Sequence, residues 1–145
     1  MKLTVSLFLA LLLSSFNIQA QTAQTQTALH ITTSSKQLCY WDADTKKFDI
    51  NCDDNPEYVS LFEFNADGTV ITHTTSNIKS SYFVTSKKYD ADYAADEYEV
   101  TSDVGNKYTF IVNLNAKNFV ILSDGHSSTA NDYIIKYAIK SHWTE

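Results

Sequence analysis

Arginine is absent. All eleven basic residues are lysines, set against seventeen acidic ones, for a net charge of −6. Arginine supplies the planar fork that grips a phosphate or a guanine edge at two points. Neutralising phosphate is also what drives binding to nucleic acids and to anionic membranes. An acidic chain without arginine is therefore predicted to have no nucleic-acid partner, and no membrane association once its N-terminal segment is removed.

Glycine and proline are nearly as scarce, at three and one. That excludes a glycine-rich phosphate cradle and leaves Asn and Asp to make the turns. Cysteine occurs twice, as Cys39 and Cys52, with no Cys-x-x-Cys redox spacing. Two thiols and four scattered histidines (His30, His73, His126 and His142) lack the paired spacings of a zinc site. There is no Gly-x-Ser-x-Gly elbow and no His-Glu-x-x-His. The tract SDGHSS, with Asp124, His126 and Ser127, is the nearest approach to a catalytic grouping and reads as a loop. No enzymatic activity, cofactor or metal is expected.

The only long apolar run, Leu3 to Phe16, follows Lys2 and precedes Ala20. It is too short to span a membrane. A charged start, a short apolar core and a small residue at the cut make residues 1–20 a secretory signal peptide. The expected location is secreted or periplasmic. Residues 21–34, opening QTAQTQTA, read as a flexible Gln/Thr-rich leader with little to pack, and 35–145 as a single domain.

Nine Tyr, eight Phe and two Trp, with many Thr, Val and Ile, are strand-forming. Alternation of period two places Tyr108, Phe110, Val112 and Leu114 on one face, and Tyr82 and Val84 opposite Phe83 and Thr85. In DYIIKYAIKSHW it places Tyr133, Ile135, Tyr137, Ile139 and Trp143 together. Asn65-Ala66-Asp67-Gly68 reads as a hairpin loop with Gly at the positive-φ position; Asn115-Ala116-Lys117-Asn118 repeats it with Asn there. A third turn falls near Val104-Gly105-Asn106. The tract KKYDADYAADEY is either an extended hairpin tip or one helical turn. The prediction is an all-β, antiparallel up-and-down meander of about eight or nine strands. Barrel closure would remove its exposed edges; the alternative is a two-sheet sandwich.

The stretch CYWDADTKKFDINCDD holds five aspartates around the two cysteines. A calcium loop counted from Asp42 fails at Lys46 and Lys47; counted from Asp49, it fails at Asp54 and Ser60. A non-standard oxygen site from Asp49, Asp53, Asp54 and Glu57, and a second tract of Asp90, Asp92, Asp96 and Glu97, both read as solvated polar loops. Pairing Cys39 with Cys52 across a hairpin turning at Thr45-Lys46 would bring them within disulfide reach, as an exported chain favours.

The phrase FEFNADGTV within a run of meandering strands resembles small secreted lipocalin-like (calycin) domains; the Gly-x-Trp of that family is absent, Trp41 standing in LCYW. The resemblance implies a barrel that holds a small apolar ligand. Tyr108, Phe110, Tyr133, Tyr137 and Trp143 are the aromatics expected either to line such a pocket or to fill the core. The alternative role is a protein-interaction or inhibitor domain that uses exposed Tyr40, Tyr58, Tyr89 and Tyr93; a hydrolase-type enzyme is the least favoured.

Overall fold

The structure, a computed structural model, describes residues 27–49, 51–123 and 132–145. The expected signal peptide, the start of the expected leader and the Asp124–His126–Ser127 tract lie outside them. Ten strands follow in chain order: β1 (Leu29–Asp42), β2 (Lys47–Phe48), β3 (Asp53–Asn55), β4 (Leu61–Phe64) and β5 (Val70–Thr74), then β6 (Lys79–Asp90), β7 (Ala95–Ser102), β8 (Lys107–Asn113), β9 (Asn118–Ser123) and β10 (Tyr133–Thr144). There is no helix among the described residues.

Every neighbour from β4 to β10 pairs antiparallel with the next; β4 pairs with β1, and β1 pairs with β10. Eight strands thus close into a barrel, which leaves no open edge in the ring. The short β2 and β3 extend from β1 outside this ring. The expected meander and its closure are both present.

The barrel begins earlier than composition suggests. Residues 29–34, expected in the leader, form the first part of β1, where Ile31 and Thr33 are fully buried. Their Thr and Ser content looks leader-like, but Leu29, Ile31 and Thr33 alternate with His30 and Thr32, and that period puts them in the wall.

Two offset bulges interrupt the β1–β10 seam. Thr32 pairs with Ser141 while Thr33 pairs with Ile139, so Lys140 is extra on β10; Ser34 is extra on β1 before Ser35 pairs with Ala138. A bulge reverses which side chains face inward beyond it. This corrects the expectation for Trp143. It leaves the face of Tyr137 and Ile139 and stacks, half-exposed, on His30 with ring centroids 5.0 Å apart.

Three turns share one chemistry. In DADTK, DADYA and NLNAK the opening Asx side chain accepts backbone N–H groups, and the fifth residue has positive φ. Asp42 accepts from Asp44 and Thr45, Asp90 from Asp92 and Tyr93, and Asn113 from Ala116. The left-handed residues are Lys46, Ala94 and Lys117. Two expectations shift accordingly. The strained position after β8 is Lys117 and not Asn118, because the Asn113 carboxamide closes the turn one residue early. In the cysteine hairpin Trp41 pairs with Phe48 and Asp42 with Lys47, so the turn spans residues 43–46. The register with β3, Leu38 opposite Asp53, is two residues different. The change falls between Asp49 and Cys52, where Asn51 N–H donates to the Asp49 carboxylate. KKYDADYAADEY is the extended hairpin tip.

Phe62, Phe110 and Phe119 are at 0% exposure in the barrel centre. Phe62 contacts Phe119 edge-on at 4.4 Å and Tyr137 at 5.2 Å. Ile31, Phe64, Ile71, Val100, Val112, Ile121 and Ile139 complete the filling.

Candidate functional site

The two barrel ends differ. One end carries the turns 65–69, 91–94 and 114–117, with the start of β1 and the end of β10. The other carries the turns 75–78 and 103–106, the far end of β1 and the start of β10. Residues directly opposite across a strand pair share a face, so the pairings assign what looks inward at this second end. Tyr82 lies opposite Ser102, Tyr108 opposite Ser123, His73 opposite Ser80, Tyr40 opposite Tyr133 and Lys36 opposite Tyr137. The filled aromatic centre is therefore topped by a layer of tyrosines and serines.

The tyrosines touch one another. Tyr82 packs edge-on to Tyr108 at 5.8 Å and against Phe110 at 4.8 Å. Tyr133 Oη donates to Tyr108 Oη at 3.4 Å, and Tyr58 lies 6.1 Å from Tyr137. Burial is the main cause that raises the pKa values of Tyr58, Tyr82, Tyr133 and Tyr137 above the ordinary phenol value; neighbouring tyrosines add to it for the last three. These hydroxyls stay protonated at neutral pH and present donors. An open depression of about 510 Å³ indents this end, lined by Gly105, Asn106, Lys107, Tyr108, Ser123 and Tyr133.

Two basic residues, His73 and Lys36, lie near these rings. His73 is 8% exposed and stacks face-to-face on Phe62 at 4.2 Å. Its Nε2 has no hydrogen-bond partner among the described residues. Burial, and then the positive field of Lys36, lower its pKa from 6.5 to about 4, so it is neutral at physiological pH. The Lys36 ammonium sits 4.6 Å over the ring centroid of Tyr58, within cation–π range.

Of the aromatics singled out from sequence, Tyr108, Phe110, Tyr133 and Tyr137 converge: Phe110 as core, Tyr137 at the junction, Tyr108 and Tyr133 at the mouth. Trp143 does not. Sequence reasoning missed Lys36, because the Ser34 bulge that turns it inward has no local signature. The inward alternation of Ile71 with His73 was the available signal for the histidine. Tyr40, Tyr58, Tyr89 and Tyr93 do not form one surface. Tyr40 is at the mouth, Tyr58 is half-buried beneath Lys36, and Tyr89 and Tyr93 flank the tip at the opposite end.

Cys39 and Cys52 form a disulfide that ties the β2–β3 arm to β1. In the acidic tracts Asp49 and Asp90 are turn acceptors, Asp54 accepts from the Gln37 carboxamide, and two residues are cross-strand partners: Asp96 lies 3.5 Å from Lys87 and Glu97 lies 3.0 Å from Lys88. Hydrogen bonds from Thr45 and the turn backbone lower the Asp42 pKa, and those from Thr69 lower that of Asp67. No group of three His, Cys, Asp or Glu side chains among the described residues is arranged to hold a metal. A larger groove of about 670 Å³, open to solvent, runs beside the β1–β10 seam and is lined by Lys36, Asp54, Asn55, Lys117, Lys136 and Tyr137 among others. On the outer wall His30 Nδ1 is 3.5 Å from Glu63. Its Nε2 is 2.9 Å from Glu145, though without hydrogen-bond alignment.

Comparison of the chain with family models, curated proteins and solved structures returns no match.

Proposed function

We propose that this is an exported, non-catalytic binding module that receives a small apolar ligand at the tyrosine-lined mouth of its barrel. The observation that carries the reading is the contrast between a centre with no solvent exposure at Phe62, Phe110 and Phe119 and an end built of half-buried aromatic faces with protonated hydroxyls. Such a surface suits a ligand that is apolar in body with a few polar points, as small-molecule sites generally are. The filled centre leaves room for shallow seating only. Export is supported by the N-terminal apolar segment and by a disulfide, which persists in oxidising compartments. The lipocalin-like layout of the hairpins agrees with the reading.

A protein-docking role is the second reading, favoured by one observation. Val59, Ile78, Val104 and Tyr40 are all exposed around this same end. Native mass spectrometry of the protein from its host's exported fraction separates the two: a retained small mass supports the ligand reading, and a retained polypeptide supports docking. Titration with small aromatic ligands, followed by NMR of the tyrosine rings, should move Tyr58, Tyr82, Tyr108 and Tyr133. Shifts confined to the outer wall would overturn the proposal.

A further inference from the structure

We infer that the groove beside the β1–β10 seam receives a short extended peptide with free termini, its ammonium towards Asp54 and its carboxylate towards Lys117 and Lys136. This site is separate from the mouth and does not rest on the reading given for it.

Strand pairing builds the groove. Residues opposite one another share a face, so Asp54, Gln37 and Lys136 form one row across β3, β1 and β10. Ser35, Ala138 and Asn118 form the next row, across β1, β10 and β9. Both rows look outward, because Tyr137 and Phe119 between them belong to the buried core. The small Ser35 and Ala138 side chains make the floor, flanked by the β3 arm on one side and the 114–117 turn on the other. The open volume of about 670 Å³ has room for a small ligand. Lys36 and Tyr137 border it from the alternate row, and the Lys36 ammonium is drawn off over Tyr58.

The two walls carry opposite charge. Neighbouring strands lie about 4.8 Å apart, which puts Asp54 about 10 Å from the Lys136 backbone, with the turn that carries Lys117 one strand further. The lysine ion pairs among the described residues engage Lys87 and Lys88, and leave Lys117 and Lys136 without a carboxylate partner there. Each wall is also held in place. Gln37 Nε2 donates to the Asp54 carboxylate at 2.8 Å, and nearby Cys52 is bonded to Cys39. Lys117 takes a φ of 53°, and its carbonyl accepts the Ile139 N–H at 2.9 Å. An extended tripeptide spans about 10 Å, so its terminal charges match the two walls. The Ser35 hydroxyl and Asn118 carboxamide offer donors and acceptors to its peptide groups.

The test compares triglycine with N-acetyl-triglycine and triglycine amide, each lacking one terminal charge, by NMR titration of the full mature protein. The protein's charge of −6 favours the cationic amide, so a preference for triglycine over it reports the lysines. Triglycine is expected to shift the amides of Ser35, Asn118 and Ala138 saturably and to bind about fivefold more tightly than either blocked compound. Asp54→Asn should erase its advantage over the acetyl compound. Lys117→Asn combined with Lys136→Met should erase its advantage over the amide; Asn tolerates the left-handed backbone. Lys46→Asn, at the same left-handed position of a turn outside the groove, should preserve both. Equal binding of the three compounds would overturn the inference, as would a preference that survives the groove substitutions. Absence of saturable shifts in the groove would overturn it as well, and would leave the mouth reading untouched.

Discussion

His73 occupies a position where burial and chemistry oppose each other. Its ring is an aromatic filler on Phe62, yet the same ring is a base that water would protonate below about pH 6.5. The folded-state value, about 4, lies below the unfolded one, so the unfolded chain takes up the proton first. The stabilisation is fully present above about pH 6.5, falls as pH drops towards 4 and levels off below. At pH 5 the loss should be about 2 kcal/mol relative to pH 7.5. Urea unfolding of wild type and His73→Phe at both pH values isolates the effect, because Phe keeps the stack and does not titrate. An equal pH dependence in the two proteins would mean that His73 is charged in the folded state.

Individual hairpins are governed by their turns. Asp42, Asp90 and Asn113 each open a turn by accepting backbone N–H groups, and each turn needs a left-handed residue to close. With two of the three glycines placed at Gly68 and Gly105, the chain uses Lys46, Ala94 and Lys117 there. An L-residue with a Cβ is disfavoured in that region by about 1–2 kcal/mol, so Ala94→Gly should raise stability by about 1 kcal/mol net of backbone entropy. Thermal melting reads this directly, and a lowered midpoint would contradict it. The β2–β3 arm is a second such element. It lies outside the ring and is held by the disulfide across a sequence separation of 13. Reduction should cost about 3 kcal/mol on the chain-entropy account; unchanged melting with reductant would show that the bond does not stabilise the fold.

At the scale of the whole molecule, the seam between β1 and β10 turns a sheet into a barrel. It runs from Leu29 opposite Thr144 to Tyr40 opposite Tyr133, and outside it Trp143 stacks on His30, which lies between Glu63 and Glu145. Opening the seam would expose two edges and the aromatic core together. Amides of Ile31 and Ile139 should therefore exchange with solvent only through global unfolding, while that of Phe48 in β2 exchanges through local opening. Native-state hydrogen exchange with increasing denaturant checks this. A sub-global opening shared by β1 and β10 would identify the seam as the weak point of the ring.

Local rules were enough to read most of the elements. The alternation in KYTFIVNLN and SYFVTSK sorted the residues of β8 and β6 onto their two faces correctly, because pleating depends only on neighbouring residues. The pairing of Cys39 with Cys52 was legible because two cross-strand positions lie within disulfide reach. What eluded the sequence is non-local. The bulges at Ser34 and Lys140 exist because β1 must meet β10 more than a hundred residues away, and they send Trp143 outward and Lys36 inward. By itself the sequence determined strands, turns and a disulfide, all fixed by contacts a few residues apart. Only closure of the ring decided that Lys36, Tyr58, His73 and Tyr137 stand together, because barrel geometry dictates where strands distant in sequence come into register.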